Sequence, residues 1–153
     1  MNTPSKRQAN HLVEKQQNRW ITALLSQRSG NKPDAAESAD AMISVWQDIA
    51  AALHSIIGSQ GIAALYDRSI SLASKKHPWL ASSRTGADNS VDPAALRSVL
   101  AMQSDSDAAA GAREFLQTFY DVLVGLIGPA LCEQLLLPVR KDSAHADHEI
   151  RNL

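Results

Sequence analysis

A single cysteine, Cys132, stands in a chain of 153 residues. That excludes an intrachain disulfide and any zinc site built on several thiolates, and it fits a reducing compartment. A basic excess is also missing, since 15 Lys and Arg face 16 Asp and Glu. Broad binding to a phosphate backbone needs clustered cations, so no nucleic-acid partner is expected. Aromatic residues are scarce: two Tyr, two Phe and three Trp. Ala supplies much of the 44% apolar content, which suits closely packed helices better than strands, where β-branched and aromatic residues are preferred.

Long hydrophobic runs are absent too. The longest, Val122 to Cys132, is broken by Gly125, Gly128 and Pro129, and it falls short of the ~20 residues a helix needs to cross a bilayer. No secretory leader is legible, because Lys6 and Arg7 lead into His11 to Arg19 where a continuous apolar segment should stand. The expectation is a soluble, cytoplasmic protein with no membrane partner. Its length suits one domain burying roughly two-thirds of its unfolded surface.

Periodicity and punctuation predict the elements. Residues 1–7 are polar and expected to be a disordered N-terminus. A first helix spans about Gln8 to Gln27, with Val13, Trp20, Ile21, Leu24 and Leu25 as its apolar stripe, and Gly30 and Pro33 end it. Asp34 caps a second helix with Glu37 as its capping-box partner. Along that helix Ala39, Met42, Trp46, Ile49, Leu53 and Ile56 recur at spacings of three and four, a heptad seam. Ser59 opens a third helix from about Gln60 to Lys76, facing inward through Ile62, Leu65, Tyr66, Ser69 and Ala73, and His77-Pro78 stops it. Trp79 and Leu80 follow as an apolar plug. Ala81 to Asp92 carries no apolar period and reads as the main flexible loop.

Asp92-Pro93 starts a short fourth helix ending near Gln103. Ser104 to Asp107 opens a fifth, with a face of Ala112, Phe115, Leu116, Phe119, Val122, Leu123, Leu126 and Ile127. Gly128-Pro129 breaks it, Ala130 to Leu137 forms a sixth, and residues 139–153 read as a flexible polar tail. A repeat runs through this pattern. Leu53-His54-Ser55-Ile56-Ile57-Gly58 aligns with Leu123-Val124-Gly125-Leu126-Ile127-Gly128, 70 residues on, and each copy closes a long apolar-periodic stretch. The fold expected is all-α: residues 8–138 as a single compact bundle of five or six helices. It allows a pseudo-twofold arrangement of two helix–Gly–helix units.

Chemistry is thinner on the page. His54-Ser55-Ile56-Ile57-Gly58-Ser59 resembles the phosphoacceptor segment of histidine phosphotransfer domains over these six residues. In that family a His on a four-helix bundle is followed two places on by an apolar residue, then a Lys, then Gly-Ser. The resemblance implies His54 as an exposed phosphoacceptor in a signalling relay. Here Ile57 occupies the Lys position, which removes the cation that would hold the phosphoryl oxygens.

Tyr66, Asp67 and Arg68 form a compact polar group, and Trp46, Tyr66, Arg68 and Trp79 together are candidates for a small-ligand pocket between helices. Asp67 and Arg68 read more readily as a pair on the solvated face, with Tyr66 half in the core. Cys132 falls on the apolar face of its helix and reads as a buried small hydrophobe rather than a nucleophile. His145 and His148 share a helical spacing but lack a third fixed ligand, so no metal site is expected. Asp105-Ser106-Asp107 does not continue as a calcium loop, and Gly58-Ser59-Gln60-Gly61 lacks the Lys of a phosphate-binding loop. No cofactor and no catalytic residue is assigned. The reading is a non-catalytic regulatory or adaptor protein acting through protein–protein contact. Self-association as a homodimer is expected, with Trp20 and Trp79 near element ends as its apolar contacts.

Overall fold

The computed structural model describes residues 19–83 and 91–139. Among them are α1 (Arg19–Ser29), α2 (Ala35–Ala73), a 3-10 turn (Pro78–Ser83), α3 (Pro93–Ala101), α4 (Asp105–Ile127) and α5 (Pro129–Val139), with no strand. The protein is all-α. The expectations for residues 1–18, for the loop from 84 to 90 and for the tail from 140 onward, His145 and His148 included, lie outside the described residues.

Local chemistry sets the helix starts. At α2 the Asp34 carboxylate accepts from the Glu37 amide at 2.8 Å, and the Glu37 carboxylate accepts from the Asp34 amide at 3.3 Å, which is the expected capping box. Asp92 accepts from the amides of Ala94 and Ala95 ahead of α3, and Ser104 accepts from the Asp107 amide ahead of α4. Each such cap contributes about 1 kcal/mol.

The decisive long-range feature lies inside α2. Over the 20 residues from Trp46 to Tyr66 a straight helix would climb roughly 30 Å. Their rings instead meet edge-to-face with centroids 5.6 Å apart. The chain therefore folds back on itself at Gly58, whose φ of 78° and ψ of 169° lie outside helical geometry. The result is a helical hairpin with a first arm over residues 35–57 and a second over residues 59–73. By length and composition α2 could cross a bilayer, but its two arms face each other across Trp46 and Tyr66. Gly128 makes the second corner, between α4 and α5, with φ 87° and ψ 157°.

The first arm and α4 start side by side, tied by the Ala35 amide donating to Asp105 Oδ1 at 3.0 Å. They run the same way, because Phe115 on α4 also meets Tyr66, at 5.6 Å. Both glycine corners thus lie at the same end of the bundle. One hydrophobic cluster draws on every helix: Trp20, Ile21 and Leu24; Met42, Ile49, Leu53 and Tyr66; Leu96 and Leu100; Phe115, Phe119 and Leu123; Cys132 and Leu136.

Three expected boundaries shift. Ile56 is 59% exposed, and Ile57 takes its place against the core. At roughly 100° per helical residue, Ile57 returns to the angle of Ala39, whereas a strict heptad stops one residue short, at Ile56. Leu126 is exposed too, at 62%, although its phase matches that of buried Phe115 and Phe119; it stands two residues before the Gly128 corner. Ala81 to Ser83, expected in the loop, instead complete the 3-10 turn, and Ser83 is buried. The last helix runs through Pro138 to Val139, which is buried rather than part of a tail; a Pro in a final turn forfeits only one backbone hydrogen bond.

Candidate functional site

Small residues leave a groove between the second arm of α2 and α4. Ala64, Leu65, Arg68 and Leu72 line one wall, and Thr118, Asp121, Val122, Gly125 and Leu126 line the other. Within each wall the spacings are those that put side chains on one helical face. The groove holds about 680 Å³ of open space. Ala64 and Gly125 contribute almost no bulk, while Leu126 stands at the lip. Arg68 and Asp121 place opposite charges on facing walls. Ile56, two residues before its own glycine corner, is an equally exposed apolar side chain at the same end of the bundle.

The residues proposed for a small-ligand pocket do not assemble as one. Trp46 is 5% exposed and Tyr66 is 0% exposed, and their edge-to-face contact fills the space between the arms. The Tyr66 hydroxyl donates to the Ser83 carbonyl at 2.8 Å, and burial pushes its pKa up to about 12. A phenol held this way is a structural pin rather than a ligand handle. Arg68 points away from both, because two residues along a helix turn roughly 200°. It lies in the groove instead.

Trp79 is half-buried on the core. Its ring lies so close to Gly111 that a Cβ there would collide with Cη2 and Cζ2. Gly111 is therefore the seat on which the 3-10 turn rests against α4. Trp20 is also in the core, edge-to-face with Tyr120 at 5.8 Å. Neither indole is the open interface contact that its place near an element end implies; the exposed large apolar residues among those described are Ile56, Met102, Leu126, Leu131 and Leu137.

Two further candidates are placed. Cys132 is fully buried, and desolvation raises its thiol pKa to about 11, the opposite of an activated nucleophile. His54 is exposed on the first arm, four residues before the corner. Lys75 and Lys76 lie roughly 25 Å beyond that corner along the chain's helical rise, and the Lys76 amine sits 3.6 Å from Glu114. Arg68 is the nearest of the three in sequence, and it faces the groove. His54 is thus open, and its ring makes no hydrogen bond or ion pair with any of the three cations.

Missed from sequence were the groove and the Trp79–Gly111 seat. Only Gly125, a small residue on an otherwise bulky helix face, hinted at the first. No protein-family model, no curated protein and no solved structure matches this chain, so its site stands on its own geometry.

Proposed function

We propose that the protein is a non-catalytic regulatory or adaptor module that acts by protein–protein contact, and that a second copy of itself is one partner. The observation that carries this reading is Leu126, 62% exposed at the lip of an apolar groove. A two-fold contact is self-complementary, since each copy offers both the groove and the side chain that fills one. Arg68 and Asp121 on opposite walls give such a contact matching charges, which fix its register more than its strength. Ala64 and Gly125 let a partner helix approach closely. A reducing, cytoplasmic setting agrees with a lone buried cysteine.

Sedimentation velocity over a range from sub-micromolar to high micromolar chain concentration tests the reading. A reversible dimer is expected. A single monomeric species over the whole range would overturn self-association.

A second reading, phosphotransfer through His54, has one observation in its favour: the imidazole is exposed on a long helix of a helical bundle. Incubation with a phosphorylated receiver domain tests it. Acid-labile label that is lost in His54→Gln would establish this reading, and absence of label would remove it.

A further inference from the structure

Charge is unevenly distributed along the bundle. Around the two glycine corners the sequence carries none: no Asp, Glu, Lys or Arg occurs from Ile49 to Tyr66 or from Val122 to Cys132. The opposite end, where α2 and α4 begin, holds Lys32, Asp34, Glu37, Asp105 and Asp107. The first arm covers residues 35–57, the same length as the 23 residues of α4, and the two start side by side. Their corners therefore stand level.

Apolar side chains project from this uncharged end. Ile56 is exposed at one corner, and Leu126 and Leu131 are exposed on either side of the other, with Pro129 and Ala130 open between them. The remaining exposed side chains beside Gly58 are His54, Ser55, Ser59 and Gln60. One exposed apolar residue is ordinary on a protein surface. Three at one end, with no charged residue in the segments that carry them, mark a contact surface.

A second observation comes from α2 as a whole. It is long and apolar enough to cross a bilayer, yet only 28% of its apolar window is buried inside the fold. A core helix of that composition is ordinarily covered on most sides. Because α2 is bent into a hairpin, it does not span as one rod; what it turns outward is its corner.

We infer that the glycine-corner end docks on the surface of a lipid bilayer, with Ile56, Leu126 and Leu131 dipping below the headgroups. Surface docking needs no spanning segment, so the lack of a long apolar run does not bear on it. Lipid fits this end better than a protein partner does. A protein interface is edged by polar and charged groups that set its register, and this end has no charge to set one. A bilayer asks for no register and penalises charge. Along the helical rise Asp48 and Asp67 lie roughly 13–15 Å from Gly58, and Asp121 roughly 10 Å from Gly128. Those distances match or exceed the ~5–10 Å that an interfacial segment enters. Glu133, roughly 7 Å past Gly128, limits the depth on the α5 side.

Flotation of the full chain with phosphatidylcholine vesicles tests this. Binding to these neutral vesicles is expected, and it should persist from low to molar salt, since no ion pair contributes. Ile56→Asp and Leu131→Asp should each weaken it at least about tenfold, because aspartate is among the costliest residues to bring into lipid. Met102→Asp, between α3 and the Ser104 cap of α4 at the charged end, should float like the parent. Ile56 and Leu131 lie outside the groove lining, so both variants should sediment like the parent chain, and failure to float is distinguishable from failure to dimerise. No flotation with phosphatidylcholine would overturn the inference. So would flotation confined to vesicles with anionic lipid and abolished by salt, or unchanged flotation of Ile56→Asp.

Discussion

Gly58 and Gly128 hold nearly the same backbone 70 residues apart, with φ/ψ of 78°/169° and 87°/157°. That region of conformational space is essentially reserved for glycine, and other residues held there cost about 1–3 kcal/mol. A Cβ at either position would meet nothing within 4 Å. The penalty is therefore one of backbone alone, with no packing component to obscure it. Gly58→Ala and Gly128→Ala should each lower stability by about 1–3 kcal/mol in denaturant unfolding, while D-alanine at either site should be tolerated. Equal destabilisation by the D- and L-residues would show that the corners are set by packing instead.

Gly111 and Trp79 make the converse case, in which contact rather than conformation requires a glycine. Gly111→Ala must displace the indole, and overpacking of this kind costs about 1–3 kcal/mol. In a Trp79→Ala background the same change should cost little, so a double-mutant cycle should return a coupling above about 0.5 kcal/mol. Additive effects would mean that the ring does not rest on Gly111.

The seam gives a third prediction. Leu53 and Leu123 are fully buried, and Leu→Ala at such sites costs about 2–5 kcal/mol. Ile56, 59% exposed, lies in the same heptad register, yet Ile56→Ala should stay within about 0.5 kcal/mol in the monomer. Thermal or chemical unfolding of the three variants separates a helical period from a strict heptad.

These positions also show which features the sequence makes legible. Capping by Asp34 with Glu37, by Asp92 ahead of Pro93 and by Ser104 is written within four residues, so it reads directly. The inward face of the second arm, Ile62 through Ala73, reads as well, because the pattern is short enough for phase errors not to accumulate. Ile56 fails since a heptad and a 3.6-residue helix drift apart over several turns, and Leu126 fails because, although in phase, it stands at the Gly128 corner. The grouping of Tyr66 with Arg68 fails because neighbours in sequence occupy opposite sides of a helix. The groove and the Trp79–Gly111 seat depend on elements brought together only by the hairpin at Gly58, and no local pattern encodes them.

Alkaline pH should weaken the fold in a predictable order. Burial raises the Cys132 thiol from 9.0 to about 11 and the Tyr66 phenol from 10.0 to about 12. Both groups are neutral when protonated, and the unfolded chain releases each proton at the lower value. Their stabilising effect is complete below pH 9, then falls as pH rises, first through the thiol range and next through the phenol range. Ultraviolet difference titration with stability measured in parallel checks this. Tyr66→Phe should flatten the upper part of the decline, and an unchanged slope would exclude Tyr66 as its source.

Sedimentation of two surface variants tests the proposed self-association most directly. Leu126→Asp places a charge at the groove lip, whereas Met102→Asp places one at an even more exposed apolar residue, 82% exposed, just past the end of α3 and outside the groove lining. Neither side chain is in the core, so both variants should fold. The dimer should be lost or weakened at least roughly tenfold in Leu126→Asp, the effect of disrupting one central apolar contact, and retained in Met102→Asp. A Leu126→Asp protein that dimerises like the parent chain would contradict the assignment of the α2–α4 groove as the contact surface.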